Sequence, residues 1–249
     1  MILVLGGTAE ARELAGSLDA AGVAVVSSLA GRVSRPRLPP GEVRVGGFGG
    51  PDALARWLSE HGVVAVVDAT HPFAERISAS ATRACPRAGV PLLRLQRPGW
   101  RERPGDRWHW VEDLDAAATA ISSLGERVLL TTGRQGLAAF AGVSGAWFLV
   151  RCVEQPEPPL PPHHQLLLDR GPYTREGELA LIDEHGIDLL VTKDSGGAHT
   201  EAKLDAARER ELPVILVRRP SRPDVAPDIA TVASVADALA WSLEQARAG

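Results

Sequence analysis

The sequence predicts an α/β protein built as two similar domains, each a parallel sheet with helices on both faces. Continuous apolar runs of about four to eight residues alternate with amphipathic segments, the pattern of buried parallel strands and their covering helices. The same order of elements recurs after about 120 residues, a period too long for a solenoid unit. A chain of 249 residues with 45% apolar side chains is also long enough for two modest cores.

Residues 2 to 6 form the opening strand and run into Gly7-Thr8, where Thr8 caps a helix carrying Leu14 and Leu18 at i, i+4. Val23 to Leu29 is the second strand and Glu42 to Val45 the third. The next helix has Leu54, Trp57, Leu58 and His61 on one face and Gly62 as its stop. Val63 to Ala69 is the fourth strand; Pro72 then opens a helix with Ile77, Ala81 and Ala84 on one face, and Pro91 to Leu95 is the fifth strand. A second cycle starts at Val128 to Gly133. Pro91 to Pro98 overlays Pro213 to Pro220 at an offset of 122, which also lays the short strand Trp108 to Val111 on Ala230 to Ala233. The boundary is therefore expected near Gly125, giving domains 1–124 and 125–249. The two short strands are equivalent, so an exchange between the sheets is left open. Gln155 to Pro162 reads as a surface loop.

Composition narrows the function classes. With 27 basic against 31 acidic residues the net charge is -4, which offers no global field for nucleic acid or anionic lipid. Two cysteines, Cys85 and Cys152, lie far apart and form no disulfide or zinc framework, so no metal site is expected. No apolar stretch reaches membrane-spanning length and no leader precedes the first strand, which predicts a soluble, cytoplasmic protein. Basic charge is almost wholly arginine, with Lys193 and Lys203 the only lysines. Nucleophile-elbow, P-loop and HExxH patterns are missing, which removes the usual support for hydrolase, kinase and zinc peptidase readings.

Strand ends carry the candidate chemistry, because sheet ligands bind outside the carboxyl edge. Gly6-Gly7-Thr8 offers free amides at a helix start, suited to a phosphate, or is simply a tight turn. Glu10 and Glu13 must then point away from that phosphate. After the second strand comes Ser27-Ser28-Leu29-Ala30-Gly31-Arg32, where an NAD site would place a carboxylate; Arg32, with Ser28 or Arg35, suits the extra phosphate of NADPH. Thr70, His71 and Phe73 follow the fourth strand, and a histidine there can bind a ligand or deliver a proton. In the second half Thr131-Thr132-Gly133-Arg134, Gly171-Pro172-Tyr173 and Thr192-Lys193-Asp194-Ser195-Gly196-Gly197 form a polar wall suited to an anion.

Taken in order, GGTAEAR (Gly6 to Arg12), SLAGR (Ser28 to Arg32), DATHPFA (Asp68 to Ala74), TTGR (Thr131 to Arg134), GPY (Gly171 to Tyr173) and TKDSGG (Thr192 to Gly197) resemble the precorrin-6A reductase family of cobalamin biosynthesis. The likeness spans nearly the whole chain. It implies two Rossmann-like domains with a cleft between them, and hydride transfer from NADPH to one double bond of the precorrin-6A macrocycle, giving precorrin-6B. It names no proton donor, so the catalytic residue stays unassigned. Cofactor binding is expected from Gly6, Gly7, Thr8, Ser28, Gly31, Arg32, Thr70 and His71, and substrate binding from Phe73, Thr132, Gly133, Arg134, Tyr173, Lys193, Asp194, Ser195 and Gly196. Arg94, Arg97, Arg134, Arg151, Arg218 and Arg219 lie at or near strand ends and suit the carboxylate arms of such a substrate. A cobalt-precorrin-6A reductase using NADH, another Rossmann-type reductase and a non-enzymatic two-domain binding protein are the rival readings. Oligomeric state is not encoded in any recognisable pattern.

Overall fold

The computed structural model describes residues 1–31, 38–220 and 229–248. The expected phosphate ligand Arg32 and its helper Arg35 lie outside the described residues. In chain order the elements are β1 (Ile2–Leu5), α1 (Ala9–Ala20), β2 (Val25–Leu29), β3 (Glu42–Val45), α2 (Pro51–Glu60), β4 (Ala65–Asp68), α3 (Glu75–Ala88) and β5 (Leu92–Leu95). Then come β6 (Arg107–Val111), α4 (Leu114–Ile121), β7 (Arg127–Leu130), a 3-10 helix (Arg134–Phe140), β8 (Trp147–Cys152) and β9 (His164–Leu168). The chain continues with α5 (Arg175–His185), β10 (Leu189–Lys193), a short 3-10 turn (Ala198–Thr200), α6 (Ala202–Glu209), β11 (Pro213–Val217), β12 (Ala230–Val232) and α7 (Val235–Ala248).

Local chemistry explains the boundaries. Thr8 has extended backbone and its hydroxyl accepts from the Ala11 amide, so α1 starts where the sequence places it. The helix expected from Pro72 begins later, at Glu75. Residues 71–74 instead close a turn in which the Ala74 amide donates to the His71 carbonyl and the Phe73 amide to His71 Nδ1. Gly62 stops α2 with φ of 59°, and Gly89 caps α3 in the left-handed region. Among the described residues no helix is long and apolar enough to cross a membrane.

Two six-stranded sheets result, in the orders β12-β5-β4-β1-β2-β3 and β6-β11-β10-β7-β8-β9. Every pairing is parallel. In the first, Ile2 and Val4 of β1 pack with Leu14 and Leu18 of α1, and Val235 and Leu239 of α7 lie against the same cluster. Leu3 and Leu5 face the other way, toward Leu54 and Leu58 of α2 and Ala81 and Ala84 of α3. Burial on both faces is why β1 reads as one unbroken apolar run. Each such leucine contributes about 1.5–3 kcal/mol of apolar burial. On one face of the second sheet Leu129, Leu149, Leu190 and Leu216 pack with Ile182 of α5 and Leu204 of α6.

The compact units depart from the expected 1–124 and 125–249 division. One is Met1–Pro98 with Ser221–Gly249, the other Gly99–Pro220. β6 leaves the first half to pair with β11, Trp108 opposite Val214, while β12 returns to pair with β5, Ala230 opposite Leu93. The physical reason is the repeat itself. β5 and β11 are equivalent strands, and so are β6 and β12, so hydrophobic pattern alone accepts either pairing.

Candidate active site

In both sheets the chain works outward from the central strand in one direction and then in the other. This sets a switch point between β1 and β4 in the first unit and between β7 and β10 in the second. Ligand crevices open at the carboxyl ends of such strands.

At the first switch point the Gly6 amide donates to the Ser28 carbonyl at 2.9 Å, tying β1 to β2. Gly7 has φ of +113°, and a Cβ there would meet nothing within 4 Å, so the loop beside the start of α1 is an open cradle. The Thr8 hydroxyl is committed internally: it accepts from Ala11 and donates to the Ala69 carbonyl at 2.8 Å, which joins the ends of β1 and β4. Glu10 is answered by Arg97, whose Nη1 lies 2.7 Å from Oε2. This pairing removes the repulsion that an unpaired carboxylate at a helix start exerts on an anion.

Beyond β4, Asp68 Oδ1 accepts from the amide and hydroxyl of Thr70, at 3.2 and 2.6 Å. The Thr70 hydroxyl also lies 3.3 Å from Ser78 Oγ. His71 Nδ1 accepts from the Phe73 amide, which puts the ring proton of a neutral imidazole on Nε2. The His71 and Phe73 rings are 5.8 Å apart. Thus Phe73, expected to bind substrate, belongs to the same loop as the expected cofactor residues Thr70 and His71. At the end of β2, Ser28 is nearly buried, and Gly31 turns the chain with φ of +69°, its Cβ position only 3.2 Å from Val45.

The second switch point has different furniture. Thr132 is buried and its hydroxyl has no hydrogen-bond partner among the described residues. Gly133 has φ of +77° with open space at its Cβ position. After β10 the chain passes through Lys193, Asp194, Ser195 and Gly196. Asp194 proves to be an internal clasp: Oδ1 accepts from the Trp100 amide at 3.0 Å, and Arg219 Nε lies 3.2 Å from Oδ2. A Cβ on Gly99 would come within 2.5 Å of Asp194 Oδ2, so the clasp requires glycine there. Ser195 Oγ sits 3.4 Å from Thr200 Oγ1. Tyr173 stands between β9 and α5, its ring centroid 3.9 Å from the Arg151 guanidinium carbon. Burial pushes its phenol above the ordinary tyrosine range, against the opposing pull of Arg151.

The six arginines expected to await substrate all have protein carboxylates. Arg94 pairs with Asp68, Arg97 with Glu10, Arg134 with Glu154, Arg151 with Glu178, Arg218 with Glu112 and Arg219 with Asp194. Arg94 and Arg151 are buried as well, which makes them framework and not substrate clamps. Arg134 and Arg218 retain exposure. Sequence reasoning missed the partners because most lie many residues away, although Glu178 sits in the first turn of α5, where an acidic residue otherwise reads as a helix-dipole complement. It also missed Arg44, which donates to the Gly46 and Gly47 carbonyls and lies 3.8 Å over the Phe48 ring, bracing the glycine loop after β3. Burial pushes the Cys85 thiol up to about 12, so it stays protonated and inert.

The profile of the family described as precorrin-6x reductase CbiJ/CobK matches residues 1–242. The chain belongs to the precorrin-6x reductase family. This reductase is 54% identical over 241 residues to the precorrin-6A reductase of Rhodococcus erythropolis, and 50% identical over 241 residues to that of Mycobacterium tuberculosis, with 96% of each chain covered in both cases. A solved structure described as CobK precorrin-6A reductase superposes with a TM-score of 0.89 at 40% identity, covering 98% of this chain and 96% of the other. The fold is accordingly a pair of Rossmann-like parallel sheets, and the protein is an oxidoreductase that needs a nicotinamide cofactor.

The first unit fits such a cofactor. The positive-φ Gly7 leaves a cradle that any Cβ would fill, α1 supplies a full helix start, and Glu10 is neutralised beside it. Gly6, Gly7 and the Thr8 backbone are the groups that would hold a diphosphate, with Ser28 and Gly31 at the ribose end and Thr70 and His71 at the β4 end.

Proposed function

We propose that this reductase transfers hydride from NADPH to a carbon–carbon double bond of precorrin-6A, giving precorrin-6B in cobalamin biosynthesis. Family membership over nearly the whole chain supports the substrate. For NADPH over NADH the supporting observation is the sequence Ser27-Ser28-Leu29-Ala30-Gly31-Arg32, which has serines and an arginine and no carboxylate to hold the ribose hydroxyls of NADH.

The bound cofactor supplies the hydride; the protein supplies position and charge. The Gly6-Gly7 loop and the start of α1 would hold the diphosphate, and Arg32 with Ser28 would hold the ribose phosphate. Thr70 and His71, fixed through Asp68 and the 71–74 turn, would hold the cofactor at the β4 end. In the other unit Arg134 and Lys193 meet carboxylate arms, while Thr132, Gly133, Tyr173, Ser195 and Gly196 line the macrocycle's seat. Asp194 serves that seat through its clasp on Trp100 and Arg219.

The decisive experiment is Arg32→Ala assayed with both cofactors. A charge-assisted contact is worth about 1.5–3 kcal/mol, so KM for NADPH should rise about tenfold to a hundredfold while KM for NADH hardly moves. Full retention of the NADPH preference would place the phosphate elsewhere.

A further inference from the structure

Beneath the carboxyl edge of the second sheet lies a group of charges that the reaction as described does not use. Arg151, near the end of β8, and Glu178, in the first turn of α5, pair at 2.6 Å with side chains 5% and 1% exposed. Glu178 Oε2 has no hydrogen-bond partner among the described residues. A buried ion pair of this kind seldom adds net stability, because desolvation offsets the attraction. Lys203 of α6 is also buried, with Nζ 5.0 Å from the Trp100 ring centroid. Burial and the nearby Arg151 push its ammonium down to about 7, against the opposing influence of Glu178.

What this group touches at the edge is Tyr173, the chain's single tyrosine. Its ring lies 3.9 Å from the guanidinium carbon of Arg151, and its hydroxyl donates to the Asp169 carbonyl at 3.3 Å. The 171–174 segment that carries it joins β9 to α5 without regular structure. Glu178 holds that segment twice. Its amide donates to the Thr174 carbonyl at 3.0 Å, and its carboxylate fixes the guanidinium on which the ring rests. A planar guanidinium held at its edge presents its face to the aromatic ring.

We propose that Glu178 is a positioning residue of the macrocycle site, acting through Arg151 to hold the Tyr173 ring in place for the substrate. The proposal rests on the reading of Tyr173 as a macrocycle-binding residue. It gives the buried pair a task that stability alone does not explain. An aromatic ring braced on a cation suits a flat, conjugated ligand, because the ring's orientation is settled before binding and little freedom remains to be lost.

The test uses precorrin-6A reduction and NADPH fluorescence titration on the full chain. Glu178→Gln and Arg151→Lys should each raise KM for the macrocycle about tenfold, change kcat by less than about twofold, and leave the NADPH Kd unaltered. Arg151→Lys keeps the charge pair and loses the planar face, so it carries the test even if Glu178→Gln folds poorly. Tyr173→Ala should match Glu178→Gln. Adding Glu178→Gln to Tyr173→Ala should then cost nothing more. If Tyr173→Ala raises KM but Glu178→Gln adds its effect in full, or Arg151→Lys is silent, the positioning role is overturned. If Tyr173→Ala is itself silent, the placement of the macrocycle at Tyr173 falls, and the positioning role with it.

Discussion

In the first unit the chain leaves β1 through Gly6-Gly7-Thr8 and enters a 12-residue α-helix capped by Thr8. In the second it leaves β7 through Thr131-Thr132-Gly133 and enters a 3-10 helix of 7 residues with no side-chain cap. Strand order is the same on both sides of these turns. An α-helix start concentrates amides and dipole at one point, whereas a short 3-10 segment presents neither to the same degree. The second edge relies on side-chain charge instead, with Arg134 and Lys193 at its strand ends and the Arg151, Glu178 and Lys203 group behind them. The two sheets thus share a frame, and the residues just beyond the central strands set the charge and backbone each edge presents.

The sharpest way to break this comparison is a matched pair of substitutions. Gly7→Val forces a branched side chain into the left-handed region and fills the cradle, and should weaken NADPH binding about a hundredfold in a fluorescence titration. Gly133→Val, at the equivalent turn, should raise KM for the macrocycle and spare the NADPH Kd. A reversed pattern would mean that the two edges have been assigned the wrong way round.

Lys193→Ala comes next. Removing one ammonium from the second edge should raise KM for the macrocycle about tenfold, with the NADPH Kd unchanged, as read in steady-state assays at fixed ionic strength. Equal losses for both ligands would contradict a division of labour between the edges.

The smallest effect concerns stability. Lys203 titrates near 7 in the native protein and near its ordinary value, 10.5, when unfolded. Between those values the unfolded chain holds the extra proton, so unfolding free energy climbs as pH rises through that window and is lowest below it. Lys203→Met should flatten the climb and raise Tm at pH 6 by roughly 3–8 °C, measured by calorimetry across pH 6 to 10. An unchanged pH profile would mean that the ammonium finds solvent.

The elements legible from sequence were those fixed locally. Thr8 announced its cap, Gly62 its stop, and the strand ends carried recognisable turns, so the candidate residues fell at the two switch points. Relations set by tertiary register were hidden. Nothing near Arg151 reveals that Glu178 will meet it from α5, and nothing near Asp194 reveals that it will clasp Trp100. Pro72 misled because a proline suits both a first helical turn and the tight turn that precedes α3. The exchange of β6 and β12 was undecidable for a further reason: a faithful repeat makes each edge strand an acceptable neighbour for both sheets.

That exchange also sets an order of completion on the ribosome. When β11 emerges, the second sheet already has all of its strands, β6 having been made long before. The first sheet, begun earlier, still ends at β5 with an open edge, and the apolar face of α1 still lacks α7. The first unit therefore matures last, waiting for the final stretch of polypeptide to return to it. A chain halted or clipped just after Pro220 would retain a complete second sheet and a first sheet with an unpaired strand, the kind of edge that recruits other chains.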